Sequence, residues 1–591
     1  MRHRFYRYRF KIAYFFTNLQ LELKVIMRTT SPSQNYQERI ETWFYQRERL
    51  WFRSGIVLSI IIALLNFNAR ISEAHDDALY LEGGWRFVNE FPSYFYTQNA
   101  PLYPLFLALC IKLIGFKLIL IKLSSVACHV GAFGLLFKAL SKRVPVLVLI
   151  PVLIFQLSNS LIAYYSSMTF TEAAYFMLQS LWLYAWTKTW NNTSNPVAVW
   201  RWLLLGLSLF LLSTLKSSAI VVIPAMLFYY SIRKQYRNAA FALGAYVMIK
   251  GLYELAVKWV WNAPSQFAGQ SKILLQKDPY DASLGQEDFH GFINRFLENA
   301  NLSLSKRFYQ LLHFKNENWN EDVNDLGERI FSNGSWFITI LTASLLIAGL
   351  FYAWRKQQWL VFGWGLFGIA QAVLSFLILQ TRWDQPRITL VCMPSFLALI
   401  YFVLIVFWSK PGIKIFYTIC FGLSFILGLN DLFSKTKTNI PIVIQNLKGN
   451  IYEGYTPDWQ NFLKASTWCS DSLPKTALVA SRKAPMSLVY GKGKRFFPVY
   501  SVVCKDSASN QSNPDSALAY FKKNKVTHVL LPHLRINPQV QGMGFINTVH
   551  NIIAPIALKY PNRLRLIHIE GYSDNENPGA YEECYVYAIQ Y

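Results

Sequence analysis

Long apolar runs separated by short basic turns constrain the fold of this chain more than any other feature of its sequence. A helix needs about 20 mainly apolar residues to cross a bilayer. Runs at 54–69, 117–139, 144–157, 170–187, 202–215, 218–231, 239–257, 335–353, 359–379, 389–408 and 413–431 approach or meet that length. Within hydrocarbon each backbone N–H and C=O must be satisfied inside its own element, so these runs fold as helices. With 53% hydrophobic and 15% charged residues, the chain cannot be a string of soluble domains. The expectation is an α-helical polytopic membrane protein with about 11 transmembrane helices, the runs just given.

The formal charge of +25 raises nucleic acid as a partner. Its distribution excludes that. Basic residues collect at 141–143, 188–201, 233–237, 355–356 and 410–414, which are alternate turns. They also fill an N-terminal arm, 1–50, that carries Arg2, Arg4, Arg7, Arg9 and Lys11 and offers Met27 as a second start. Excess Lys and Arg mark the cytoplasmic side. The arm and these turns are therefore expected inside, and segments 70–116 and 258–334 outside. Residues 101–115 form a short apolar stretch with Pro101 and Pro104 at its start, expected to lie in or dip into the outer surface. Residues 291–314 carry Phe292, Phe296, Leu304 and Phe308 at helical spacing. They read as a helix packed on the protein, or alternatively on the membrane surface over the site.

From 435 the apolar runs shorten. Strand-like segments at 476–480, 526–531, 563–569 and 584–589 alternate with helical ones at 515–525 and 545–559. This pattern predicts a soluble α/β domain over 435–591, outside the membrane, following a transmembrane domain over 51–434. Gly491-Lys492-Gly493-Lys494 lacks the spacing of a phosphate-binding loop. Cys110, Cys128, Cys392, Cys420, Cys469, Cys504 and Cys584 have no metal-ligand spacing, and the last three permit at most one disulfide within the C-terminal domain.

Four external loops carry chemistry-bearing residues. The first span is followed by His75-Asp76-Asp77-Ala78-Leu79-Tyr80, an aromatic segment 85–96, and Asn99-Ala100-Pro101-Leu102-Tyr103-Pro104. Adjacent carboxylates at a membrane surface serve as a proton acceptor, or simply begin a helix, whose N-terminus favours acids. Glu172 ends Ser166-Ser167-Met168-Thr169-Phe170-Thr171-Glu172, where the same two readings apply. Lys216 stands in Leu212-Ser213-Thr214-Leu215-Lys216-Ser217-Ser218 as a snorkelling anchor or a phosphate contact. Arg382 and Arg387 flank Asp384 in Gln380–Arg387, as ion-pair partners or phosphate ligands.

Taken together, these motifs resemble the GT-C superfamily of polyprenyl-phosphate-sugar glycosyltransferases. Within it they resemble most the branch of the dolichyl-phosphate-mannose protein mannosyltransferases and the bacterial aminoarabinose transferases of lipid A. The first loop of that branch has Asp-Glu where this chain has Asp76-Asp77, and its Arg-Tyr becomes Arg387-Ile388. The stretch Leu473-Pro474 to Lys483 is similar to bacterial C-terminal domains of the family. The resemblance implies transfer of a sugar, with inversion, from a polyprenyl-phosphate donor to a glycolipid, glycan or protein acceptor of the envelope. It implies Asp76 as general base, with Asp77 and Glu172 as further catalytic carboxylates, and Lys216, Arg387 and Arg382 on the donor phosphate. His75, Tyr80 and Tyr103 are additional candidates for substrate contact. No cofactor is expected, and a divalent metal is not favoured. The implied location is the plasma (inner) membrane, with the site periplasmic. A transporter and a non-catalytic assembly protein are the alternatives. Against the transporter stand the absence of an internal repeat and of an ionisable pair deep in paired spans.

Overall fold

The structure, a computed structural model, describes residues 36–73, 76–190, 197–263, 268–278, 284–314, 334–381, 385–506, 509–535, 545–571 and 582–591. The helices begin with α1 (Tyr36–Gln46), α2 (Glu48–Leu65), α3 (Asp76–Asn89), α4 (Leu102–Ile114), α5 (Leu118–Leu140), α6 (Val146–Ser158) and the short α7 (Ser160–Tyr165). Then come α8 (Thr171–Lys188), α9 (Val199–Leu215), α10 (Val222–Ile232), α11 (Tyr236–Trp261), α12 (Ala268–Leu275), α13 (Phe289–Leu302) and α14 (Phe308–Leu311). The bundle closes with α15 (Trp336–Arg355), α16 (Trp359–Ile378), α17 (Pro386–Leu390), α18 (Met393–Val406) and α19 (Pro411–Leu447).

Every expected span coincides with a helix. Among the described residues α5, α11, α15, α16 and α19 are long and apolar enough to cross a bilayer by length and composition alone. The helix surfaces are apolar outside as well as inside: Val57, Leu64, Leu252, Ile340, Ile347 and Ile426 are all more than half exposed. A soluble protein does not carry so wide an apolar belt. Helix α19 continues through Leu447, so the expected boundary at 434/435 falls inside it. At ~1.5 Å per residue its length exceeds a bilayer's hydrocarbon core, and its last turns rise beyond.

Small residues set the closest helix approaches. A Cβ on Gly206 of α9 would lie 2.6 Å from Ala245 Cβ and 2.9 Å from the Tyr246 nitrogen of α11. Backbone cannot yield as a flexible side chain can. Gly206→Leu is therefore expected to lower the melting temperature of the purified protein, by overpacking worth roughly 1–3 kcal/mol. An unchanged melting curve would contradict the packing of α9 on α11.

The segment 291–314 packs onto the protein, as one of its two readings anticipated. Asp288 caps α13 by accepting from the Gly291 amide at 2.7 Å. Asn299 donates to the Phe376 and Leu379 carbonyls at 2.9 and 2.8 Å, satisfying the C-terminal end of α16. The opposite face of α13, with Phe289, Ile293 and Leu297, is exposed.

The C-terminal unit comprises α20 (Pro457–Ser472), β1 (Val479–Ser481), α21 (Ala484–Tyr490), β2 (Phe496–Pro498), α22 (Pro514–Lys523), β3 (His528–Pro532), α23 (His550–Lys559), β4 (Leu564–Glu570) and β5 (Cys584–Ile589). The five strands form one sheet in the order β2-β1-β3-β5-β4. Strands β1, β2 and β3 are parallel, and β5 runs antiparallel to β3 and β4. Strand β2 escaped the sequence reading because it has only three residues, enclosed by the basic Lys492–Arg495 run and Pro498. The three cysteines of this unit are free thiols in the structure.

Candidate active site

Asp76 opens α3 and Glu172 lies in the first turn of α8, so both acids sit at helix N-termini, where the helix dipole favours negative charge. Lys216 occupies the extended residue between α9 and the turn leading to α10. Arg387 follows Pro386, whose fixed φ starts α17. The fold converges these four loops on one cavity of about 400 Å³, lined by Asp76, Glu172, Lys216 and Arg387 together with Tyr80 and Asn99.

Each acid in this cavity faces a cation. The Arg387 guanidinium donates to Asp76 Oδ2, and Lys216 Nζ lies 3.4 Å from Glu172 Oε1. Aromatic faces hold both cations: Arg387 sits 5.3 Å from the centre of the Phe170 ring, and Lys216 Nζ 5.7 Å from that of Tyr175. Tyr175 donates to Gln371 Oε1 at 2.5 Å, and Gln371 donates to Ser218 Oγ at 3.3 Å, fixing the turn that carries Lys216. Burial lowers the Arg387 pKa, but Asp76 and Glu172 more than offset it, so the guanidinium is held charged more firmly than usual. Burial, reinforced by Asp76, raises the Tyr80 phenol, which stays a neutral hydrogen-bonding group.

Asp76 and Asp77 are adjacent but differently placed. Asp76 is 37% exposed, towards the cavity, whereas Asp77 is fully buried. Asp77 accepts from the backbone amides of Ser72 at 2.9 Å and Ala78 at 3.0 Å. Burial raises its pKa, while the Lys122 ammonium and these amides pull it back down. Lys122 is itself fully buried within α5 and donates to the Ser167 carbonyl at 3.4 Å. Asp77, expected among the catalytic carboxylates, therefore does not line the cavity, because its oxygens are engaged in ordering the loop before α3. Tyr103 does not reach the cavity either; it packs edge-on against Tyr80 with ring centres 5.4 Å apart. His75 and Arg382 lie outside the described residues. Ile388, at the position of the resemblance's Tyr, lines the cavity wall.

Sequence reasoning missed two further basic residues. Lys122 stands alone in an apolar run, and that isolation was the available signal. Lys483, at the start of α21, reaches from the C-terminal unit to donate to the Glu73 carbonyl at 3.2 Å. Burial and the neighbouring Arg482 lower its pKa to about 8, against the opposing pull of Asp76, Glu73 and Asp77. Tyr455 adds a second tie, donating to the Ile71 carbonyl at 2.5 Å, and Arg70 lies over the Tyr455 ring at 5.0 Å. The C-terminal unit thus braces the loop that carries Asp76.

Among the described residues, no three His, Cys, Asp or Glu side chains converge as a metal-ligand set.

No protein-family model matches the chain, and no curated protein matches it in sequence. Solved structures do match. The apo crystal structure of ArnT from Cupriavidus metallidurans aligns over 91% of this chain and 97% of its own, at 10% identity and a TM-score of 0.50. The apo oligosaccharyltransferase of Archaeoglobus fulgidus aligns over 83% of this chain and 70% of its own, at 10% identity and a TM-score of 0.48. The archaeal oligosaccharyltransferase AglB from the same organism, in complex with an inhibitory peptide and a dolichol-phosphate, aligns over 83% and 70%, at 11% identity and a TM-score of 0.43. The alignment with ArnT covers nearly all of both chains, and this chain shares that structure's fold.

Proposed function

We propose that this chain transfers a sugar from a polyprenyl-phosphate donor to an envelope acceptor, a glycolipid, glycan or protein, at the external face of the plasma membrane. The observation that carries this reading is the double ion pair, Asp76 with Arg387 and Glu172 with Lys216, in a single cavity. A phosphate entering there competes for both cations. Arg387 offers a planar fork of donors and Lys216 a point charge, a combination suited to phosphate oxygens. As Arg387 turns to the phosphate, the Asp76 carboxylate is released to accept a proton.

The acceptor oxygen attacks the anomeric carbon from the side opposite the phosphate and gives its proton to Asp76. The bond between that carbon and the phosphate oxygen breaks, and polyprenyl phosphate leaves with the electron pair. Arg387 and Lys216 stabilise the developing charge. One displacement inverts the anomeric centre. In this reading the two cations take the place of a divalent metal, Glu172 positions Lys216, and Tyr80 contacts the substrate from the cavity wall. Asp77 orders the loop and takes no proton.

Binding of polyprenyl phosphate to the purified protein tests the phosphate assignment. Arg387→Gln and Lys216→Gln are each expected to weaken it about ten-fold or more, the loss of one hydrogen bond to a charged group. Affinity unchanged in both variants would remove the phosphate from this cavity.

A further inference from the structure

At the other end of α2, away from Asp76, a second cavity of about 550 Å³ lies between the first turns of α2 and the last turn of α5. Five basic side chains line it: Arg49, Arg53, Lys138, Lys142 and Arg143. The single carboxylate among them, Glu48, is already engaged, by Lys142 at 2.8 Å and by the Ser141 hydroxyl at 2.5 Å. Arg143 is also partly committed, donating to the Lys138 and Ala139 carbonyls at 3.0 and 3.3 Å. Neither Arg49 nor Arg53 forms a salt bridge among the described residues, although the Arg49 charge acts on neighbouring Glu48, and the two stand four residues apart on one helix face, where like charges repel. Lys138 adds a third charge, its ammonium 5.3 Å from the centre of the Phe52 ring. An anion in this cavity relieves that repulsion.

The cavity differs from an ordinary basic turn in two respects. Its cations line one concavity walled by Phe52 and Phe137, with Arg49, Arg53, Lys138 and Lys142 open to the surface where a headgroup can reach them. The Arg49–Arg53 face also continues along α2 as Val57, Ile61 and Leu64, which are 54%, 45% and 52% exposed. A charged head and an apolar stripe on one helix face match the two parts of a phospholipid. Basic pockets between membrane helices suit anionic headgroups.

We infer that this cavity is a binding site for the phosphodiester headgroup of an anionic phospholipid, whose acyl chains lie along the Val57–Leu64 stripe. The site is independent of the proposed glycosyl transfer. The far end of α2 is held by Ser167, donating to the Asn66 carbonyl at 3.4 Å, and by Thr436, donating to Asn66 Oδ1 at 3.0 Å.

Native mass spectrometry of delipidated protein with added phosphatidylglycerol or phosphatidylcholine tests the inference. Phosphatidylglycerol is expected to be retained more than ten-fold better than phosphatidylcholine. The double variant Arg49→Gln, Arg53→Gln is expected to lose that preference. Two controls should keep it: Lys234→Gln, Arg237→Gln, which removes the same charge from a different basic turn, and Arg387→Gln in the acidic cavity. Equal loss in the Lys234/Arg237 control would reduce the effect to general surface charge and overturn the site. Loss in Arg387→Gln alone would move the lipid to the acidic cavity and overturn it too. Glycerol 1-phosphate is expected not to compete at concentrations where the lipid saturates; competition at equal concentration would make this a soluble-phosphate site and overturn the lipid assignment.

Discussion

Asp76→Asn is expected to reduce sugar transfer by roughly 10²–10⁴-fold, the contribution of a positioned proton acceptor. The substitution keeps the size and hydrogen-bonding capacity of the side chain and removes only its charge and basicity. Arg387 loses its ion-pair partner but lines the cavity at 19% exposure and remains within the influence of Glu172, so the cost to stability is smaller than for a fully enclosed charge. Donor binding should therefore persist or tighten, because the phosphate no longer competes with a carboxylate for Arg387. Measuring kcat and donor affinity together separates this outcome from a folding defect. Loss of donor binding in parallel with transfer would show that Asp76 holds the site together instead of taking the proton.

Lys122→Met is expected to have the largest effect on stability. Lys122 makes no direct contact with Asp77, but removing its buried positive charge leaves the buried carboxylate less compensated, at a cost of up to about 3 kcal/mol. Burial already pushes Asp77 towards its protonated form. Without Lys122 its folded-state pKa rises further above the unfolded value. A group raised on folding contributes stability that is present at low pH and lost as pH rises through the folded pKa. The deficit of Lys122→Met should therefore be smaller at pH 5 than at pH 8 in thermal melts of the detergent-solubilised protein. Adding Asp77→Asn should recover part of the loss at pH 8. A deficit independent of pH would mean that Lys122 matters only as packing.

The helices were legible because their signal is local. An apolar run of span length has one structural solution in a bilayer, and the basic turns repeat it independently. Asp76, Glu172, Lys216 and Arg387 were legible one loop at a time, and the fold brings them to one cavity. What the sequence left hidden was pairing and direction. Nothing in Asp76-Asp77 says that one carboxylate faces a cavity while its neighbour is buried and accepts from the Ser72 and Ala78 amides. The role of Phe170 and Tyr175 under the cations appears only when α8, α9 and α17 converge. Lys483 lies more than 400 residues from Glu73, a separation no local pattern bridges. The expected boundary at 434/435 falls within α19 for a related reason: the composition turns polar there while the helix continues to Leu447.

Transfer of radiolabel from membrane polyprenyl-phosphate sugars tests the central claim most directly. Wild-type protein and Asp76→Asn are compared at equal expression in membranes supplied with a labelled lipid-phosphate sugar pool. The predicted result is label moving to an envelope acceptor with wild type and remaining on the lipid with the variant. Full transfer by Asp76→Asn would contradict the assignment of Asp76 as the base and of the Asp76–Arg387 pair as the catalytic centre.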